Sequence, residues 1–166
     1  EASAAPLRLA IARTRPMSGT VAIDGQIQPI WDVFFGGERS LAGQVDARAT
    51  LGGTLAAPLI NGQLALADGR FRDNGSGLML TDMTMAARFD DATALIQTFT
   101  ATDGSGGTVA GDGRIGLRQG SGSSFELVLT RFRIIDNDIA QARASGPLTV
   151  VRAADGNVTL SGEIDV

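Results

Sequence analysis

The fold is decided by residues 41–89, LAGQVDARATLGGTLAAPLINGQLALADGRFRDNGSGLMLTDMTMAARF, where apolar and polar residues alternate in short runs. Residues 44–51 place an apolar side chain at every second position, from Val45 to Leu51. A period of two puts these side chains on one face of a β-strand, whereas a helix would mix them with polar ones. Turn-type residues break the alternation at Gly52-Gly53, Pro58, Asn61-Gly62 and Asp68-Gly69. The stretch therefore predicts strands joined by turns at these breaks.

The same period continues on both sides of this stretch. One-sided strands are predicted in residues 7–13, 18–27, 83–90, 108–118, 142–150 and 158–166. Residues 94–102 are strand-like but alternate weakly. Leu78 and Leu80 are out of phase with Met83, which predicts a bulge near Asp82. In residues 125–134 the phase is mixed, because Phe125, Leu127 and Leu129 alternate against Val128, Phe132 and Ile134. That strand either is buried on both sides or contains a bulge.

Composition favours an all-β chain. The 166 residues are 43% hydrophobic and 19% charged and include 22 glycines, which suits many short strands and turns. We expect a single domain over residues 1–166, or a piece of a longer repetitive β protein, with residues 1–6 frayed and residues 119–124 a flexible linker. No run approaches the roughly 18 to 20 apolar residues that a membrane helix needs. Any signal or membrane anchor would lie outside this sequence.

Several kinds of chemistry lack their residues. All 14 basic residues are arginine, and the chain has no histidine, lysine, cysteine or tyrosine, so a serine or cysteine nucleophile would have no base. The sequence GDGRIG at residues 111–116 matches a dinucleotide motif in letters but lies inside a predicted strand. Asp136-Asn137-Asp138 and Asp73-Asn74 are the best calcium candidates, and turn chemistry explains both. We therefore expect no catalytic residues, no cofactor, no metal and no nucleic-acid partner.

The segment PIWDVFFGG, residues 29–37, holds the one tryptophan and two adjacent phenylalanines. A short turn or single helical turn here would let Trp31, Phe34 and Phe35 cover one end of the sheet. Alternatively, these three aromatic residues form a docking patch at its mouth, since exposed aromatic clusters often mark contact sites.

Four segments follow one another in the chain: GQVDARATLGGTLAAPLINGQLALADGRF, a GL.L.D segment, GTVAGDGRIGL and the closing SGPLTVVRAADGNVTLSGEIDV. Their order resembles that of the TamB family of bacterial envelope proteins. The likeness covers residues 18–166 and consists of spacing, glycines and alternation. It implies a long, curved, mainly antiparallel sheet, an open β-taco with an apolar trough. It also implies a Gram-negative periplasmic location, an inner-membrane anchor elsewhere in the protein, and an outer-membrane barrel partner of the Omp85 class. The implied cargo is phospholipid or nascent outer-membrane protein.

The resemblance thus implies a non-enzymatic carrier of about ten strands, whose alternating apolar residues line the trough. The predicted lining comprises Val45, Ala47, Leu51, Leu64, Leu66, Met83, Met85, Phe89, Val109, Ile115, Leu117, Leu127, Leu129, Leu148, Val150, Val158, Leu160 and Ile164. Alternation by itself is equally compatible with a closed core, because in a sandwich or barrel the apolar faces would meet each other. An all-β chain of this kind could also be a strand-pairing assembly factor, an adhesin-like surface β-domain or, last, an enzyme acting on polysaccharide.

Overall fold

The computed structural model describes residues 16–35, 37–54, 56–118, 120–136 and 141–165. Its elements are β1 (Gly19–Gln26), α1 (Gln28–Phe35), β2 (Arg39–Gly53), β3 (Pro58–Asp73), β4 (Met79–Asp90), β5 (Thr93–Thr102), β6 (Thr108–Gly116), β7 (Ser123–Asp136), β8 (Gln141–Arg152) and β9 (Val158–Gly162). The strand predicted in residues 7–13 lies outside the described residues.

All nine strands of the described chain form one sheet in sequence order, and every neighbouring pair is antiparallel. The two edge strands, β1 and β9, do not pair with each other, so the sheet is open. The predicted all-β, antiparallel fold is confirmed, and the open sheet is consistent with a β-taco. No helix in the described ranges is long and apolar enough to cross a membrane.

Two of the predicted turns are wrong. The chain does turn between Gly53 and Pro58, but β3 then runs for 16 residues straight through Asn61-Gly62 and Asp68-Gly69. Asp68 has a φ of 51°, and the pairing of β3 with β4 shifts beside it. A left-handed aspartate can therefore serve a bulge inside a strand as well as a turn. Gly62 lets the neighbouring strand approach closely, because a Cβ there would collide with the carbonyl oxygen of Arg48.

Bulges also set the phase of β4 and β7. Asp82 has a φ of 49°, and the register with β5 shifts between Thr81 and Thr84, which confirms the predicted bulge. In β7, Arg131 has a φ of 47° within a shift between Leu129 and Phe132. Phe132 is consequently 4% exposed, whereas Val128 is 56% exposed. The expectation that these two share a face is wrong, since the extra residue reverses the alternation.

A further bulge in β5 explains its weak alternation. The pairing of β5 with β6 shifts between Ile96 and Phe99, and its pairing with β4 shifts at the same place. Gln97 and Thr98 are both exposed, while Ile96 and Phe99 keep the apolar phase. One added residue thus places two successive polar side chains outside.

The buried residues form one layer on a single face of the sheet. Appreciable contacts in the described chain join only strands adjacent in sequence, together with α1 and β2. The buried cluster consists of Val45, Ala47, Leu66, Met83, Ala101, Val109, Leu129, Phe132 and Ala144. These residues are therefore covered by side chains of the same sheet rather than by a second layer.

Asp103 fixes the β5–β6 turn. Its carboxylate accepts hydrogen bonds from the backbone N–H groups of Ser105 at 2.7 Å, Gly107 at 2.9 Å and Arg133 at 2.9 Å. Burial alone would raise the pKa of Asp103, but these three donors stabilise the anion and lower the pKa to about 2. The ionised side chain thus ties the turn to β7.

Asp73 closes the β3–β4 turn in a similar way. It accepts from the N–H of Gly75 at 2.9 Å and from Arg39 Nε at 3.1 Å. Burial would raise the pKa of Asp73, and these hydrogen bonds lower it below its usual value. Turn geometry therefore accounts for the residue types at Asp73-Asn74, the first calcium candidate. The other candidate, at residues 136–138, lies partly outside the described residues.

Candidate functional site

The candidate site is one face of the sheet, built from rows of side chains that run across the strands. Residues directly opposite each other in antiparallel strands share a face. One such row contains Ile23, Ala47, Leu64, Ala87, Ile96, Gly113, Phe125, Val150 and Leu160. The next contains Gly25, Val45, Leu66, Met85, Phe99, Gly111, Leu127, Leu148 and Gly162. We call this surface the apolar face.

The predicted lining residues within strands all lie on the apolar face. They are Val45, Ala47 and Leu51 of β2, Leu64 and Leu66 of β3, Met83, Met85 and Phe89 of β4, Val109 and Ile115 of β6, Leu127 and Leu129 of β7, Leu148 and Val150 of β8, and Val158 and Leu160 of β9. Leu117 follows β6 and is partly buried, its N–H donating to the carbonyl of Ala92. Ile164 follows β9 and packs against the buried cluster.

Sequence reasoning missed members of this face for two reasons. Ile96, Phe99 and Phe132 lie next to bulges, which break a strict period of two. Ala101 is small, yet it is 3% exposed. The three residues next to bulges could have been found by allowing the alternation to shift by one residue within a strand. Alanine carries too weak a signal to reveal Ala101.

Exposure differs between the strands of the apolar face. Val45 and Leu66 are 3% and 5% exposed. By contrast, Val158 and Leu160 on the edge strand β9 are 61% and 65% exposed. Large apolar side chains that share the face with the core thus remain uncovered along this edge.

The aromatic segment forms α1, a two-turn helix rather than the single turn that was predicted. The ring of Trp31 packs edge-on against Phe71, with centroids 6.3 Å apart, and its indole N–H donates to the carbonyl of Arg39 at 3.2 Å. Trp31 therefore covers one end of the apolar face. The side chains of Phe34 and Phe35 lie outside the described residues. Val33 is 78% exposed on the helix surface.

The polar chemistry of the described chain is dispersed. No group of three or more carboxylates, histidines or cysteines in this part of the protein is arranged to hold a metal ion. GDGRIG lies within β6, as predicted, and does not open a helix. The two carboxylates with lowered pKa, Asp73 and Asp103, are engaged by turn N–H groups. The apolar face therefore presents hydrocarbon surface to a ligand.

The fold and this face define a class: an open antiparallel sheet with one continuous apolar side. Residues 97–166 match the family model of the TamB C-terminal domain. The translocation and assembly module subunit TamB of Haemophilus influenzae is 24% identical over 156 residues, or 94% of this chain. The chain spans 12% of that relative's length. Both matches confirm the predicted resemblance to the TamB family. No solved structure matches the chain.

Proposed function

We propose that this chain is a non-enzymatic part of a translocation and assembly protein and that its apolar face shields hydrophobic cargo from water. The observation that carries this proposal is the pair of apolar rows that continue from β1 to β9. The similarity to a translocation and assembly module subunit supports the same role.

The size of the face suits an acyl chain. With strands about 4.8 Å apart, nine strands extend the rows over roughly 38 Å. Each methylene group removed from water contributes about 0.8 kcal/mol, so half of a ~14-methylene tail would contribute several kcal/mol. Such binding depends on area, not on directional contacts, and would therefore tolerate tails of different length.

The proposed cargo is phospholipid or a segment of nascent outer-membrane protein, held in a trough that crosses the periplasm. The proposed partner is an outer-membrane barrel of the Omp85 class, and the proposed anchor is an inner-membrane segment outside this sequence. In this arrangement Trp31 and α1 lie at one mouth of the trough, where the aromatic segment also contacts the partner or the cargo.

Site-specific photo-crosslinking in cells tests the proposal. A photoreactive residue at Leu64, Leu66 or Val109 should capture acyl chains, because these positions face the apolar side. The matched positions Ala65 and Ala110 should capture none, because each lies one residue away and faces the opposite side. Equal capture on both faces would contradict lipid carriage. So would an absence of capture by a folded, expressed protein.

Strand pairing at β9 is a second candidate function. This edge strand carries the exposed Val158 and Leu160, and an unpaired edge offers backbone hydrogen bonds to an incoming strand. Val158→Pro and Leu160→Pro each remove an N–H that points away from β8. Asn157 and Asp165, which have the opposite parity, hydrogen-bond to β8 and its flanking residue Ala153. Crosslinks to barrel proteins from this edge should disappear in at least one of these variants if pairing is the function. Persistence of the crosslinks in both would exclude it.

A further inference from the structure

A polar cleft on the opposite face of the sheet combines two arginines with three side-chain amides. It has a volume of about 500 Å³ and is lined by Arg48, Asn61, Gln63, Arg88 and Gln97, together with Gly62 and Phe89, whose register places them in a row of the apolar face. No carboxylate lines it. The lining therefore provides hydrogen-bond donors and positive charge without negative charge, which is the composition of an anion-binding site.

Strand register places the two arginines on either side of one glutamine. Arg48 of β2 lies opposite Gln63 of β3, and Gln63 lies opposite Arg88 of β4. The two arginines are thus two strands, or about 10 Å, apart at their backbones. Long side chains at this separation can converge on one ligand above Gln63. Guanidinium groups stay charged across the physiological pH range and match phosphate oxygens in pairs.

Two features of the backbone build this arrangement. Gly62 allows β2 and β3 to approach closely beside Arg48, since any Cβ there would collide with the Arg48 carbonyl. The bulge in β5 adds Gln97 to the polar face next to Arg88 while Ile96 and Phe99 remain on the apolar face. Bulges commonly redirect a side chain towards a site.

The ion pair that Arg48 forms is exposed to solvent. Asp46 lies 3.7 Å from Arg48 Nη2, and the two side chains are 49% and 70% exposed. Ion pairs this exposed are weak and easily exchanged. Asp91 accepts a hydrogen bond from Asn61 Nδ2 at 3.0 Å, which orients the amide at the end of the cleft.

We propose that this cleft binds a phosphate group through Arg48 and Arg88, assisted by Gln63 and Gln97. The phosphate can belong to a lipid headgroup or to a free phosphate ion, because both present the same oxygens. The site lies on the polar face and does not depend on the proposed use of the apolar face.

Titration of the whole chain with two probes tests the assignment. One probe is inorganic phosphate, and the other is dihexanoylphosphatidylglycerol below its micellar concentration. Binding is followed by NMR at the arginine Nε–Hε groups. Removal of one charge-assisted partner, in Arg48→Gln or Arg88→Gln, should weaken binding about tenfold. Arg118→Gln, an exposed residue outside this cleft, should change it less than twofold.

Each outcome decides the proposal. Binding of both probes, weakened by either cleft variant, supports a general phosphate site. Binding of the lipid alone, with the same loss, supports a headgroup site. Lipid binding that survives both cleft variants places the contact on the apolar face and overturns this assignment. An absence of response to both probes overturns it as well. Unchanged melting temperatures of the variants would show that they remain folded.

Discussion

The Oδ2 atom of Asp103 accepts a hydrogen bond from the backbone N–H of Arg133 at 2.9 Å, which joins residues 30 positions apart in sequence. The contact holds the β5–β6 turn against β7, next to the bulge that returns Phe132 to the apolar face. Gly107 completes the junction, because a Cβ there would collide with the Arg131 carbonyl. A polar turn thereby supports the geometry of the apolar face.

Asp103→Asn should destabilise the protein by about 2 kcal/mol at pH 7, the amount that corresponds to lowering its pKa from 3.8 to about 2. Because the folded-state pKa is depressed, this stabilisation is present above about pH 4 and is lost as the pH falls towards 2. Urea unfolding of both proteins at pH 7 and at pH 2.5 measures it. The control Asp90→Asn, at an exposed position, should change stability by less than about 0.5 kcal/mol. A difference between wild type and Asp103→Asn that stays the same at both pH values would contradict the prediction.

Phe132→Ala should lower the free energy of unfolding by about 3–5 kcal/mol. The Phe132 side chain is 4% exposed, and its removal leaves a cavity. Val128→Ala, four residues earlier and 56% exposed, should cost less than about 1 kcal/mol. Urea unfolding checks both. If Phe132→Ala does not fold, Phe132→Leu provides a smaller change at the same position. Equal costs for the two positions would show that the bulge at Arg131 is absent in solution.

Gly62→Ala should destabilise the sheet by about 1–3 kcal/mol, since the new Cβ collides with the Arg48 carbonyl and would lie 2.6 Å from Ala49 Cα. The matched control is Gly19→Ala in β1, where a Cβ meets no atom within 4 Å. That change should be neutral or slightly stabilising. Thermal and urea unfolding measure the contrast. A neutral Gly62→Ala would mean that β2 and β3 are farther apart than described.

Asp82→Val should lower the free energy of unfolding by about 1–2 kcal/mol, because a β-branched residue disfavours the left-handed φ of 49° at this bulge. Asp82→Gly removes that conflict, and it should lower the free energy of unfolding by less than Asp82→Val does. Comparison of the two variants by urea unfolding separates backbone strain from loss of the weak contacts to Thr81 and Thr102. Equal losses in both variants would assign the effect to the side chain.

The period of two in residues such as Val45, Leu64 and Leu127 was sufficient to predict strands and the face each side chain occupies. These properties are local, because neighbouring residues in a strand point to opposite sides whatever the partner strand is. The out-of-phase leucines before Met83 likewise revealed the bulge at Asp82. The likeness in spacing and glycines was enough to predict the resemblance to the TamB family.

The tertiary structure decided the features that depend on which strands are neighbours and in which register they pair. Asp68-Gly69 has the composition of a turn, and only its pairing with β4 makes it a bulge within β3. The bulge at Arg131 decided that Phe132 joins Leu129, because one inserted residue reverses every later side chain. Arg48 and Arg88 are 40 positions apart in the sequence. They flank the same glutamine only because antiparallel register joins β2, β3 and β4, and alternation along one strand carries no information about that register.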